Sequence, residues 1–283
     1  SFHQCISFRL SSLYEMDSRL SRTRSSSLVG TRKAQTKQVM KTVVITGASA
    51  GIGRALALEF AKRGYRLGLL GRRADALASL QHEALAGGAA AAMTGQLDVD
   101  AAESVGPQLQ IFFEALGAVD IFVANAGINA FTSVGQDELA DEARIIQTNV
   151  IGAIASINAA AAHFMQQNGG HIVGVSSLAS MIAVPKQAAY CASKAAISMY
   201  LRSARIELAR HNIRVTDIQP GFVVTDIMPN IGKYPFAIPA TKAAFEMAEA
   251  IEKGRAEAIV PAFPWRLFKP FFRHIPNSIW KRL

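Results

Sequence analysis

VVITGASAGIG, residues 43–53, sets an apolar run against a glycine-rich turn and leads directly into a helix-period segment. Val43, Val44 and Ile45 are apolar at consecutive positions. Both faces of the strand they form must then be covered, as in a parallel sheet sandwiched between helices. The turn after the strand is Thr46-Gly47-Ala48-Ser49-Ala50-Gly51-Ile52-Gly53. Glycines at such a junction let backbone approach a pyrophosphate, whose charge is stabilised by the amide groups opening the next helix. In that helix Ile52, Leu56 and Phe60 share one face. Many glycine-rich turns are only tight strand-to-helix connections, so the remainder of the chain has to carry the reading.

Outward from this unit, short apolar runs alternate with helix-period segments. The runs predict strands at 42–46, 66–71, 90–95, 119–124, 171–176, 214–219 and 258–260. Repeated βα units of this length imply a Rossmann-like, doubly wound α/β fold with a mainly seven-stranded parallel sheet and helices on both faces. No internal repeat and no Gly-, Ser- or Pro-rich linker divides it, so 40–260 is expected to be one dinucleotide-binding domain.

The 283 residues are half hydrophobic and 18% charged, which excludes a disordered chain. Lys and Arg number 30 against 21 Asp and Glu, a net charge of +9. That excess sits at the ends: residues 1–39 and 261–283 each carry +5, and the middle carries −1. A basic groove for nucleic acid across the folded body is therefore not expected. Cys5 and Cys191 lie too far apart in the chain for a disulfide framework, and no metal-ligand spacing is present. A reducing, cytoplasmic setting is the default, with membrane association as the alternative. The most apolar region, 150–164, is broken by Ser156, Asn158 and His163, and a membrane-spanning helix is not expected.

Residues 1–39 are rich in Ser and Arg and poor in helix-period apolar residues. They are expected to be a disordered or non-native tail ahead of Met40; a transit peptide is the alternative, weakened by Glu15 and Asp17. Residues 261–283 interleave Phe263, Trp265, Phe268, Phe271, Phe272 and Trp280 with five basic residues. Such a segment suits peripheral contact with an anionic membrane through 263–283, or packing on the protein's own body over a substrate pocket.

Further motifs stand in order along the chain. Asp98-Val99 follows the third predicted strand, Asn125-Ala126-Gly127 the fourth, and Ser176-Ser177 the fifth. Asn149 lies in the helix after the fourth, Tyr190-x-x-x-Lys194 follows Ser177, and Pro220-Gly221, Val223 and Thr225 follow the sixth. Together with the T-G-x-x-x-G-x-G spacing of the first turn, these motifs resemble the short-chain dehydrogenase/reductase family over about 40–260. The resemblance implies an oxidoreductase whose catalytic set is Asn149, Ser177, Tyr190 and Lys194. It also implies cofactor contacts at Gly47, Ser49, Gly51, Ile52, Gly53, Asp98 (against the adenine), Val99, Asn125, Ala126, Gly127, Tyr190, Lys194, Pro220, Gly221, Val223 and Thr225. Ser177 would hydrogen-bond the substrate oxygen, and Asn149 would hold a water in a proton relay.

The residues suit that chemistry. Tyr190 and Lys194, four apart on one helix, project from the same face. An ammonium there favours the phenolate, without which a group of ordinary pKa about 10 exchanges protons poorly. Taken singly, each motif also has a structural reading as a solvated pair, a turn or a cap. Cys191 is read as a packing residue and the scattered histidines as structural or exposed.

An NAD site places Asp or Glu at the end of the second strand. This chain has Leu69-Leu70-Gly71-Arg72-Arg73 there. Two guanidiniums without a carboxylate suit a 2′-phosphate, so NADP(H) is expected, with Arg72 the main contact and Arg73 and Ser49 assisting. The substrate-covering stretch, 223–241, holds Ile227, Met228, Ile231, Tyr234, Phe236 and Ile238. Ser177, Tyr190 and Met228 are the expected substrate contacts. A small carbonyl or alcohol substrate, specifically a lipophilic ketone or aldehyde, is the first expectation. The alternatives are a 3-oxoacyl thioester and a non-catalytic NADPH-binding scaffold. A homodimer or homotetramer is expected from the resemblance alone.

Overall fold

Strand β1 (Thr42–Thr46) is buried along its whole length, and its side chains divide between two cores. Val43 and Ile45 enter one with Leu56 and Phe60 of α1 (Gly51–Lys62), Leu77 and Leu80 of α2 (Ala74–Ala86), and Met247 and Ile251 of α7 (Ala240–Glu252). Val44 points the other way. It joins Leu109 and Phe113 of α3 (Ala102–Leu116), Phe164 of α5 (Ala153–Gln166) and Leu201 of α6 (Ala188–Leu208). Each buried Leu or Phe contributes about 1.5–3 kcal/mol relative to exposure. The period-2 alternation of one strand thus fastens helices to both faces.

This computed structural model describes residues 40–225, 234 and 236–274, with backbone alone at 271, 273 and 274. The main sheet adds β2 (Arg66–Gly71), β3 (Ala91–Gln96), β4 (Ile121–Ala124), β5 (Gly170–Val175), β6 (Ile213–Pro220) and β9 (Glu257–Val260). The order is β3-β2-β1-β4-β5-β6-β9, and every pair is parallel. All seven strands coincide with the runs expected from sequence, with ends shifted by two residues at most. A separate two-stranded ladder, β7 (Val223–Val224) with β8 (Ile238–Pro239), was not expected. The chain builds β1 to β3 outward on one side and then crosses to β4 on the other. That reversal opens a crevice at the carboxyl ends of β1 and β4, where ligands of such sheets bind.

One helical run covers Leu139–Gln166, made of α4 (Leu139–Ile146), a π-helical stretch at Gln147–Gly152, and α5. It is long and apolar enough to cross a membrane, yet half of its most apolar window is buried in the protein. The wide turn falls where the helix meets the loop after β3. A Cβ on Gly152 would lie 2.5 Å from the Val99 carbonyl oxygen, so only glycine fits that approach.

His171 of β5 is fully buried, with Nε2 2.7 Å from Thr216 Oγ1. Because that hydroxyl already donates to the Arg255 carbonyl (2.6 Å), Nε2 carries the imidazole proton. Burial, with Arg214 and Lys41 adding to it, pushes the His171 pKa down to about 4. A folded-state value below the unfolded one means that the unfolded chain binds the extra proton first. Stability from this residue is complete above about pH 6.5 and is lost as pH falls toward 4, up to about 3 kcal/mol in all. Urea unfolding across pH 7 to 5 is expected to show this slope, and His171→Gln to flatten it.

Candidate active site

The crevice is built by two turns stitched together. Thr46 Oγ1 accepts the backbone N–H groups of Asn125 and Ala126, both at 3.1 Å. Asn125 Nδ2 returns hydrogen bonds to the Thr46 and Gly47 carbonyls (3.0 and 3.3 Å). Gly47 has φ +64°, and a Cβ there would meet Ala126 Cα at 2.8 Å. On Gly53 a Cβ would sit 2.5 Å from the Gly47 carbonyl oxygen. The rim is therefore bare backbone at the start of α1, and Gly51 and Ile52 complete it. A cradle of this kind fits the pyrophosphate of a dinucleotide.

At the end of β2 the two arginines diverge. Arg73 Nη2 donates to the Ser49 carbonyl (3.1 Å) and to Ser49 Oγ (3.3 Å), closing the glycine turn from outside. Arg72 is 58% exposed, and its Nη1 lies 3.4 Å from Asp100 Oδ2 and 3.9 Å from Asp98 Oδ1. Asp98 also accepts the Asp100 N–H (3.1 Å), and Val99 is buried against the π turn. Both guanidiniums stand at the end of β2 beside the glycine turn and the loop after β3, and no carboxylate occupies positions 69–73.

Deeper in the crevice, α6 carries Tyr190 and Lys194. Lys194 is buried, its Nζ donates to the Val175 carbonyl (3.0 Å), and it lies 5.7 Å from the centre of the Tyr190 ring. Burial lowers the Lys194 pKa to about 8, with Asp217 opposing the shift. The ammonium is therefore charged at neutral pH. Burial raises the Tyr190 phenol, while the Ser177 side chain works the other way. Ser177 stands just past β5, where its Oγ accepts the Ala179 N–H (3.1 Å) and donates to the Pro220 carbonyl (3.3 Å).

Asn149 sits in the π turn, and its side chain makes three hydrogen bonds. Oδ1 accepts the Ile128 N–H (2.8 Å), and Nδ2 donates to the Ile128 carbonyl (2.9 Å) and to Ser193 Oγ (3.1 Å). It fastens the loop after Asn125-Ala126-Gly127 to α6 and keeps one carbonyl lone pair free. Gly127 opens toward the same space: a Cβ there would be 3.1 Å from Asn149 Oδ1 and 3.5 Å from Lys194 Nζ. Burial pushes the Cys191 thiol up, in keeping with a packing residue.

The far wall is formed by Pro220-Gly221 and the residues just after them. Gly221 N–H bonds to the Val260 carbonyl (2.8 Å), Val223 is buried, and Thr225 is half-buried. Met228, Ile227 and Ile231 lie outside the described residues. Trp265, which opens α8 (Trp265–Phe268), stands edge-on to Phe222 and Phe236, with ring centres 5.9 and 5.7 Å apart, and Phe222 stacks on Tyr234 at 4.8 Å. Phe272 is buried beside Trp265, Leu178 and Ile259.

Three features escaped the sequence reading. Asp100 ties Arg72 and the loop after β3 to the π turn that carries Asn149, accepting Thr148 Oγ1 (2.5 Å) on its carboxylate and Gln147 Nε2 (2.8 Å) on its carbonyl. The π turn that presents Asn149 has no signal in the apolar pattern. Asp217, buried in β6, is in sequence only one of four polar residues of that strand, beside Arg214, Thr216 and Gln219.

A seven-stranded doubly wound sheet with a glycine-lined crevice at its switch point defines a dinucleotide-type α/β protein. Residues 41–234 match the family profile described as short chain dehydrogenase. An oxidoreductase of Myxococcus xanthus is 37% identical over 243 residues, covering 85% of this chain and 94% of that protein. The crystal structure of a short-chain type dehydrogenase/reductase from Mycobacterium marinum superposes with a TM-score of 0.71 at 29% identity, over 77% of this chain and 93% of that one. An alcohol dehydrogenase from the archaeon Thermococcus sibiricus, complexed with 5-hydroxy-NADP, gives 0.70 at 28% identity, over 78% and 95%. The chain belongs to the short-chain dehydrogenase/reductase family.

Proposed function

We propose that this chain is an NADP(H)-dependent oxidoreductase that reduces a lipophilic ketone or aldehyde, or oxidises the corresponding alcohol, with Tyr190 as general acid/base. The observation that carries the proposal is the convergence of Tyr190, the charged Lys194 and Ser177 beside the glycine-lined turn. When bound, NADP(H) supplies or accepts the hydride. Ser177 orients the substrate oxygen by hydrogen bonding, and Tyr190 gives that oxygen its proton in the reductive direction. Lys194 stabilises the phenolate left behind, at a distance where a buried charge is weakly screened. Asn149 keeps α6 in register with the N-A-G turn and offers its free lone pair to a relay water.

NADP(H) is favoured by Arg72 and Arg73 at the end of β2 and by the lack of a carboxylate there, and the T. sibiricus enzyme is described with an NADP derivative. A lipophilic substrate is favoured by the aromatic group of Phe222, Tyr234, Phe236 and Trp265. Self-association draws support from the exposed Leu139, Ile146 and Ile151 on the α4–α5 run and Met199 and Ile206 on α6. In the C-terminal segment, Trp265 and Phe272 pack on the body, so a membrane contact would fall to the exposed Phe263, Leu267 and Phe268. A panel of ketones, aldehydes and 3-oxoacyl thioesters with NADPH tests the function. Turnover of apolar ketones or aldehydes is expected; cofactor binding without turnover of any member would point to the scaffold role instead.

A further inference from the structure

We propose that Asp217 is a positioning residue for Lys194: its buried carboxylate holds the lysine in its charged form and locks together the three elements that carry the site. Asp217 is 1% exposed, where an isolated carboxylate is costly. Its oxygens are met by neutral donors: Ser176 Oγ at 2.5 Å, Ser198 Oγ at 2.6 Å and Gln219 Nε2 at 2.8 Å. Among the described residues, no Lys or Arg nitrogen lies within 4.0 Å of it. Lys194, also buried, is likewise held by a neutral group, the Val175 carbonyl.

The two charges are joined by short structural paths. Asp217 pairs in register with Gly174, next to Val175, and Ser176 is the following residue of the chain. Ser198 is one helical turn beyond Lys194 on α6. The three donors to Asp217 thus come from the end of β5 beside Ser177, from the helix of Tyr190 and Lys194, and from β6 just before Pro220. One carboxylate spans all three, and the interior between it and the Lys194 ammonium screens little.

Other groups around the pair do not substitute for it. Tyr190 and Cys191 on α6 are held neutral by burial, and Asn149 and Gly127, near Lys194 Nζ, are uncharged. Glu257 of β9 pairs in register with Asp217 but is taken up by Lys269 (2.7 Å) and Arg202 (3.5 Å), with Arg205 acting on it as well. Burial alone pulls Lys194 toward the neutral amine, and Asp217 is the charge that opposes this.

The consequence for turnover rests on the proposed oxidoreductase function, whereas the charge of Lys194 does not, so the test reads the lysine directly. The full chain, labelled with 13Cε-lysine and free of substrate, is titrated by NMR, the Lys194 signal being assigned with Lys194→Arg. Asp217→Asn is compared with Ser198→Ala, which removes a hydrogen bond but keeps the carboxylate. Asp217→Ala replaces the Asn variant if that one does not unfold cooperatively. The proton affinity of Lys194 is expected to fall about tenfold or more without the carboxylate and to stay within about twofold in Ser198→Ala. An unchanged Lys194 titration in a folded Asp217 variant overturns the proposal, as does an equal shift in both variants, which marks a packing role alone. The alkaline limb of kcat/KM should move to lower pH in parallel with the titration. A shifted titration in a protein that turns over nothing would sink the enzymatic reading and leave Asp217 in its role.

Discussion

Tyr190→Phe is expected to lower kcat by about 10²- to 10⁴-fold while leaving NADPH affinity nearly unchanged. The substitution removes one oxygen. The ring that packs 5.7 Å from Lys194 Nζ remains, as does the Val175 carbonyl that holds the ammonium. Deleting the hydroxyl leaves Ser177 its bonds to Ala179 and Pro220, so the fold should lose about 1 kcal/mol or less. A large fall in rate at small cost in stability is what separates a proton-transfer role from packing. Steady-state kinetics, NADPH fluorescence titration and thermal unfolding on the same preparation check it. A kcat within a few-fold of the parent would remove Tyr190 from the chemistry.

Arg72→Asp is expected to lower kcat/KM with NADPH by about 10²-fold or more and to raise it with NADH, reversing the preference. A charge-assisted hydrogen bond contributes about 1.5–3 kcal/mol, and the introduced carboxylate would repel a 2′-phosphate while accepting from a 2′-hydroxyl. Arg72 now faces Asp98 and Asp100, which at first sight weakens the assignment. Pairs this exposed are worth only about 0–1 kcal/mol, so the side chain is free to turn toward a stronger anion. Arg73 is more constrained by Ser49, and Arg73→Ala should have the smaller effect. Comparing both cofactors at equal pH and salt decides the matter, and an unaltered ratio would contradict the assignment.

Much of the architecture was legible because it is written in local pattern. The run Val43 to Ile45 announced a strand covered on both faces, and the structure sends its side chains into two separate cores. The glycines of the first turn were readable because they stand together in the chain, and the close approach of Asn125 and Ala126 explains why Gly47 and Gly53 carry no side chain. What escaped depends on partners distant in the chain. The π turn at Gln147–Gly152 lies where Gly152 meets Val99 and Asn149 meets Ile128, contacts that the hydropathy of the chain does not register. Asp217 is buried because Ser176 and Ser198, 41 and 19 residues away, turn toward it. The β7–β8 ladder spans two residues per strand, too few to show a period. Trp265 looked like one ring in a basic tail, yet it packs against Phe222 and Phe236 near Gly221.

In the proposed reaction this site moves a hydride to a carbonyl carbon while Tyr190 supplies the proton. Its most direct test is to incubate the native chain and Tyr190→Phe with NADPH deuterated at the transferable C4 position and an apolar ketone, and to follow the product by mass spectrometry. One deuterium on the carbinol carbon per turnover is expected in the native protein, formed at least about 10²-fold more slowly in the variant. Product without deuterium, or equal rates in the two proteins, would contradict it.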